Sequence, residues 1–145
     1  GLAGISRSIV ALENLKKQAG SVKRGNGSLM DEPTFKLKIA ELEADLMAVE
    51  YTELRSLASA ASGNEPGPES SILKLKGTEI QQRLQRLTME AGGIYSSAWG
   101  MSNVGPNFAR SGMSGYLSSR AFTIYGGASE VQKDVVAKNV LGLKK

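Results

Sequence analysis

The 145-residue chain contains no cysteine and no histidine. Without cysteine it can form no disulfide, thiolate metal site or cysteine nucleophile, and without histidine it lacks the commonest general base and metal ligand near neutral pH. Chemistry must rest on carboxylates, lysines, hydroxyls or a bound cofactor, and a cofactor suits a chain with so few reactive side chains of its own. No apolar run approaches the ~20 residues of a membrane-spanning helix, and no charged-then-apolar leader precedes the first helical pattern. A soluble, cytoplasmic protein is expected. The 18 basic and 14 acidic residues give a formal charge of +4 without a long block of one sign. That bias fits a solvated surface and, at most, a mild attraction for phosphate. A nucleic-acid binder would need an Arg/Lys-rich stripe with interleaved aromatics, which is missing, so no nucleic-acid partner is expected.

No run alternates apolar and polar residues as a strand does, and there is no internal repeat; the expected class is all-α. A chain of this length suits one domain, burying about 68–70% of the surface its unfolded form exposes. The first helical pattern runs from about Leu2 to Arg24, with Leu2, Ile5, Ile9 and Leu12 on one face. After Gly25-Asn26-Gly27-Ser28, the acidic pair Asp31-Glu32 and Pro33 mark a second helix start, where proline's missing N–H costs nothing. Phe35, Ile39, Leu42, Leu46 and Val49 then repeat at helical spacing, continued by Leu54 and Leu57 to about Ala61. Such a helix, ending near Ser62, is roughly 45 Å long at 1.5 Å per residue. Gly63 to Pro68 holds two prolines and two glycines and must reverse the chain.

A third helix is expected from about Glu69 to Tyr95, with Ile72, Leu75, Leu84, Leu87 and Ala91 inward and Lys74, Arg83 and Arg86 outward. The span Ser96 to Gly115 reads as a long loop packed by Trp99, Phe108 and the following Tyr116. A short helix over Tyr116 to Thr123 follows. Val131, Val135, Val136 and Val140 mark a last helix ending near Gly142, with Lys144 and Lys145 beside its C-terminus, where cations are favoured. These elements predict an antiparallel four-helix bundle.

The most informative stretch is Ile124-Tyr125-Gly126-Gly127-Ala128-Ser129-Glu130-Val131-Gln132. Paired glycines permit positive φ and remove the β-carbons that would hold a flat ligand away, and the helix behind them begins with unpaired N–H groups. This stretch, with Arg120 four residues upstream, resembles the signature near the C-terminus of acyl-CoA dehydrogenases, commonly Ile-Tyr-Glu/Gly-Gly-Thr/Ser-x-Glu-Ile-Gln. The resemblance covers the whole chain, including Gly92-Gly93 late in the third helix and the closing Leu141-Gly142-Leu143. The segment Pro68 to Glu79 looks like the bacterial branch acting on less ordinary acyl-CoA substrates.

The resemblance implies FAD as cofactor, an acyl-CoA thioester as substrate and electron-transfer flavoprotein or a similar acceptor. It also implies a homodimer or homotetramer joined through this domain. In the family, a carboxylate removes the α-proton while the β-hydrogen leaves as hydride to the flavin. A carboxylate can do this only when desolvation raises its basicity and hydrogen bonds hold the enolate oxygen. Many members carry that carboxylate directly after the tyrosine, where this chain has Gly126. No catalytic base is therefore expected in this chain. The resemblance places it on a residue preceding Gly1, the chain being a C-terminal fragment, inactive alone. An alternative is a non-catalytic assembly module of the same family.

The remaining roles follow from the same resemblance. Tyr125, Gly126 and Gly127 match substrate-contacting positions, and Ala128, Ser129 and Glu130 match cofactor-contacting ones. Glu130 is also explained by the favourable energy of an acid in the first turn of a helix, roughly 0.3–1 kcal/mol. Met89, Gly92 and Gly93 match a Gln-x-x-Gly-Gly segment that receives the adenosine diphosphate half of a neighbouring subunit's FAD; Met89 stands where relatives have glutamine. Close packing or helix termination equally explains the two glycines. Arg24 roughly matches an Arg-x-x-Phe-Gly segment reaching that pyrophosphate, or is simply a solvated helix end. No metal ligand set is expected, and Lys74 and Lys76 carry no assigned role.

Overall fold

The computed structural model describes residues 2–65, 67–101 and 103–143. Gly1, Pro66, Ser102, Lys144 and Lys145 lie outside the described residues, as do the side chains of Leu2 and Ala3. Three long helices form the body: α1 (Leu2–Ser21), α2 (Pro33–Ala61) and α3 (Glu69–Gly92). Shorter pieces follow: a 3-10 turn Gly93–Ser97, α4 (Asn107–Arg110), α5 (Gly112–Ser119), a 3-10 turn Arg120–Thr123 and α6 (Ser129–Asn139).

The core lies where α1, α2 and α3 meet. Leu12, Leu15 and Ala19 from α1 pack with Phe35, Ile39, Leu42, Leu46 and Val49 from α2 and with Ile80, Leu84, Leu87 and Ala91 from α3. Each buried Leu or Ile contributes about 1.5–3 kcal/mol by leaving water. The shorter α5 and α6 both pack on α3 in the place of a fourth long helix, and α6 buries no residue fully.

Several boundaries differ from the sequence expectation. The first helix stops at Ser21, because Lys23–Arg24 pairs antiparallel with Gly27–Ser28 as a small ribbon, β1 and β2. Gly25, at φ +53°, takes the first of the two turn positions, where a left-handed backbone suits the twist of the ribbon. Arg24 therefore lies on a hairpin and is no helix end. On α2 the inward face continues from Val49 to Glu53, whereas Leu54 and Leu57 stay 47% and 44% exposed. The four- and three-residue steps from Phe35 lead to position 53, so Leu54 and Leu57 fall outside that face. On α3, Ile72 and Leu75 are only half-buried while Ile80 is buried, and the helix ends at Gly92 because Gly93 takes φ +56°. The span 96–115 is shorter on loop than expected, since α4 and the first half of α5 fall within it.

The outward expectation for two α3 cations also fails. Arg83 pairs with Asp45 and more loosely with Glu41 at 3.8 Å, joining α3 to α2. Lys38 pairs with Glu90 at 2.6 Å in the same seam. Lys74 turns toward the chain's C-terminal half.

Candidate functional site

The predicted site residues fall into two groups along α3. The first surrounds a cleft of about 510 Å3 between the β1–β2 ribbon and the C-terminal end of α3, lined among others by Arg24, Gly92, Gly93, Tyr95 and Phe108. Arg24 and the paired glycines, distant in sequence, are thus brought together. The glycines serve different ends. Gly92 is helical, at φ −70°, and a Cβ there would lie 2.9 Å from the Cβ of Ala109 and press on the Ser96 hydroxyl. Gly93 has nothing within 4 Å of a Cβ position, but its φ of +56° and ψ of −137° are open only to glycine. The Arg24 guanidinium lies 3.4 Å from Glu32 and half-exposed, donating also to the Lys23 carbonyl at 3.2 Å.

Met89 does not line that cleft. Its carbonyl accepts the Ser96 hydroxyl at 2.9 Å, and its Cγ faces Gly112 at the start of α5.

The second group is the turn before α6. Gly126 and Gly127 have φ of +67° and +94°, so both occupy backbone regions that side-chain-bearing residues avoid. A Cβ on Gly127 would strike the Gln132 amide, whereas Gly126 opens to empty space. Ala128 is the cap of α6 and offers no side-chain acceptor, so the first N–H groups of the helix, including those of Ser129 and Glu130, gain no capping bond from it. Glu130 sits exposed in the first turn. Tyr125 meets Phe122 edge to face at 5.5 Å and lines, with Arg7, Gln81 and Gln85, a cleft of about 410 Å3 against α1 and α3. Arg120 reaches back onto α5, its guanidinium 4.4 Å from the Tyr116 ring centre and bonded to Ser119 at 3.0 Å. The levels of Gln81–Gln85 and Ala91–Gly92 on α3 lie roughly 9–16 Å apart along the axis at 1.5 Å per residue.

What positions this turn was not anticipated. The Lys74 ammonium donates to the Phe122 carbonyl at 2.7 Å, the Thr78 hydroxyl to the same oxygen at 3.4 Å and the Gln82 amide to the Ser119 carbonyl at 3.0 Å. These side chains stand one helical turn apart on one stripe of α3 and clamp the 3-10 turn whose end releases Tyr125. The four-residue spacing of Lys74, Thr78 and Gln82 is the signal in the sequence.

Among the described residues, three ionisable groups are perturbed. Ser28 donates its N–H at 2.7 Å and its hydroxyl at 3.0 Å to Asp31, and these bonds hold that carboxyl below its ordinary pKa. Lys16 is raised by hydrogen bonds to Glu43 and Glu13, and Lys76 by its bond to Glu79. None of the three lies in either cleft. Among the described residues, no group of acidic side chains is arranged to hold a metal ion, and no helix is long and apolar enough to cross a membrane.

The chain is thus a long-helix bundle with a clamped double-glycine turn ahead of a final helix. The family model for the acyl-CoA dehydrogenase C-terminal domain matches residues 1–141, and the chain belongs to that family. It is 29% identical over 113 residues to acyl-CoA dehydrogenase IpdE1 of Mycolicibacterium smegmatis, an alignment covering 78% of this chain and 26% of that protein. In the ChsE4–ChsE5 complex from Mycobacterium tuberculosis, a chain superposes with a TM-score of 0.78 at 26% identity, over 97% of this chain and 36% of that one. PigA in its FAD complex shares the fold at a TM-score of 0.76 and 14% identity, over 98% of this chain and 34% of PigA. The chain thus spans about a quarter to a third of the length of these relatives.

Proposed function

We propose that this chain is the C-terminal helical domain of an FAD-dependent enzyme that dehydrogenates an acyl-CoA thioester between its α and β carbons. The carrying observation is the clamped Tyr125-Gly126-Gly127 turn within a fold matched along nearly its whole length by one family. The two residue groups serve two flavin sites. Tyr125 to Glu130 face the site to which this chain belongs, and Arg24 with Gly92 and Gly93 meets the flavin of a neighbouring subunit.

The residues present fit such a group. A side chain at Gly93 would have open space to project into, so its absence leaves the cleft clear for a ligand, and Arg24 supplies a guanidinium at the rim. Arg24 would be the residue to hold phosphate oxygens there, a guanidinium being suited to pair with them. The glycine turn lets the backbone approach a thioester closely, and the open N-terminus of α6 favours negative charge. When bound, FAD supplies the hydride acceptor for the β-hydrogen. The α-proton is removed by a carboxylate in a segment preceding Gly1 in the whole protein, because Gly126 offers none. The isolated chain is inactive; the whole protein is a cytoplasmic homodimer or homotetramer that passes electrons to an electron-transfer flavoprotein or similar acceptor.

The test is to purify the whole protein and add acyl-CoA anaerobically. A yellow protein bleached by substrate, and not bleached once the preceding carboxylate is replaced, is the expected result. A colourless whole protein that still assembles would favour the second reading, a non-catalytic assembly module, to which the missing carboxylate at Gly126 also points.

A further inference from the structure

Two glutamines on one stripe of α3 carry amides that the fold does not use. Gln81 and Gln85 stand one helical turn apart, so their side chains share a face. Both are half-buried, and both line the cleft of about 410 Å3 that Tyr125 also lines. Between them Gln82 gives its amide to the Ser119 carbonyl, whereas neither Gln81 nor Gln85 makes a side-chain hydrogen bond among the described residues. A polar group drawn from water without a partner destabilises the fold, so two on one face point to a ligand that answers them.

The rest of the cleft fits the same chemistry. A Cβ on Gly115 of α5 would strike the Gln85 oxygen, while the Gln85 nitrogen stands farther from that position, at 3.7 Å. Arg7 of α1 brings a guanidinium, Tyr125 a hydroxyl, and Leu84 and Phe122 the apolar surface between them. Among the described residues no acid lines the cleft. It therefore offers hydrogen-bond donors set in apolar walls, within the volume range of small-molecule sites.

We infer that this cleft selects an acyl group carrying a second acceptor oxygen, a ketone or a carboxylate a few carbons beyond the thioester. This selectivity names the substrate class of the proposed dehydrogenase and rests on that function. Tyr125 belongs both to the turn assigned to the thioester and to the cleft wall, so a group attached to that thioester has the cleft beside it. An oxygen placed there accepts from the amides of Gln81 and Gln85, and an anionic one also pairs with the Arg7 guanidinium. A hydrocarbon of the same shape strips water from these donors and returns no hydrogen bond, which is why sites built around a substrate oxygen reject analogues that lack it.

Three thioesters of matched shape test this. Glutaryl-CoA, 5-oxohexanoyl-CoA and 5-methylhexanoyl-CoA share their first four acyl carbons and end in a carboxylate, an acetyl group and an isopropyl group. For each, kcat/KM is measured with the whole protein, and Kd with its apoprotein, where nothing is reduced. Both oxygenated thioesters should be preferred over the isopropyl one by about tenfold or more in both measurements. Gln81→Leu combined with Gln85→Leu should cut the ketone's preference to about twofold or less. Arg7→Met should lower the carboxylate's preference by about fivefold or more and move the ketone's by less than about twofold. Each ratio is taken within one preparation, so a loss of folded protein cancels. Equal use of the three thioesters, or ratios unmoved by the variants, overturns the inference. So does a loss shared equally by all three, which would set the amides against the CoA arm common to them. Failure of the dehydrogenase function is separable: a colourless protein that still binds the thioesters in the stated order refutes the flavin chemistry alone, and a yellow protein bleached equally by all three refutes only the selectivity.

Discussion

The adjacent glycines at the end of α3 offer a sharp test, because the structure assigns them opposite reasons. At Gly92 the backbone is ordinary helix, at φ −70° and ψ −18°. Helix propensity alone would make Gly92→Ala stabilising by about 1 kcal/mol. The packing argues otherwise: the added Cβ meets the Ala109 Cβ at 2.9 Å and displaces the Ser96 hydroxyl from the Met89 carbonyl. Overpacking of this kind costs about 1–3 kcal/mol, and losing that hydrogen bond about 1 kcal/mol more. Subtracting the propensity gain leaves a net loss of roughly 1–3 kcal/mol, a fall in Tm of about 2–12 °C for a chain of this size. Gly93→Ala meets no atom, so its cost, about 1–3 kcal/mol, is wholly that of the backbone conformation. Urea unfolding of both variants, each combined with Ala109→Gly, separates the causes. Removing the Ala109 methyl should relieve Gly92→Ala by about 1 kcal/mol in the double-mutant cycle and leave Gly93→Ala unrelieved. A stabilised Gly92→Ala, or equal coupling for both glycines, would refute the reasoning.

Other consequences follow from the clamp, the turn and the hairpin. Lys74→Met removes a charge-assisted hydrogen bond to the Phe122 carbonyl, so stability should fall by about 1–2 kcal/mol. Amide exchange should rise selectively over residues 120–126; an unchanged exchange pattern there would argue against the clamp. Gly126→Glu, which places a carboxylate after Tyr125, strains a φ of +67° in otherwise open space. It should cost about 1–2 kcal/mol and keep the fold, as circular dichroism and urea unfolding would report. Asp31, held below its ordinary pKa of 3.8 by Ser28, stabilises the fold above that pH, and the contribution disappears as pH falls through the lowered folded value. Asp31→Asn should therefore shrink the acid-induced loss of stability, measured as the urea midpoint against pH, with no change in its alkaline limb.

The long helices were legible because burial imposes their period: Phe35 to Val49 could be read as one face without any knowledge of its partners. The same reading went astray at Leu54 and Leu57, since α2 carries a second apolar face and periodicity alone does not say which one the domain covers. The hairpin at Lys23–Ser28 escaped notice because four ribbon residues give no alternation to detect. In the candidate site, Gly126, Gly127, Gly92 and Gly93 stood out as glycine pairs, yet only three dimensions show that Gly92 is kept for close contact and Gly93 for its backbone angle. Lys74 was passed over because a lysine on a helix ordinarily faces water, and its acceptor is a carbonyl 48 residues later.

The central claim is that this domain contributes contacts to a flavin. The direct measurement is the equilibrium affinity of the whole apoprotein for FAD, compared with that of its Arg24→Gln variant. Arg24 is exposed, and its ion pair to Glu32 is a surface contact, so the substitution should leave the stability measured by urea unfolding within about 0.5 kcal/mol. The account predicts that FAD binds the unaltered protein and binds the variant about tenfold or more weakly, the loss of one charge-assisted phosphate contact. An apoprotein that takes up no FAD, or a variant that binds it with undiminished affinity, would contradict it.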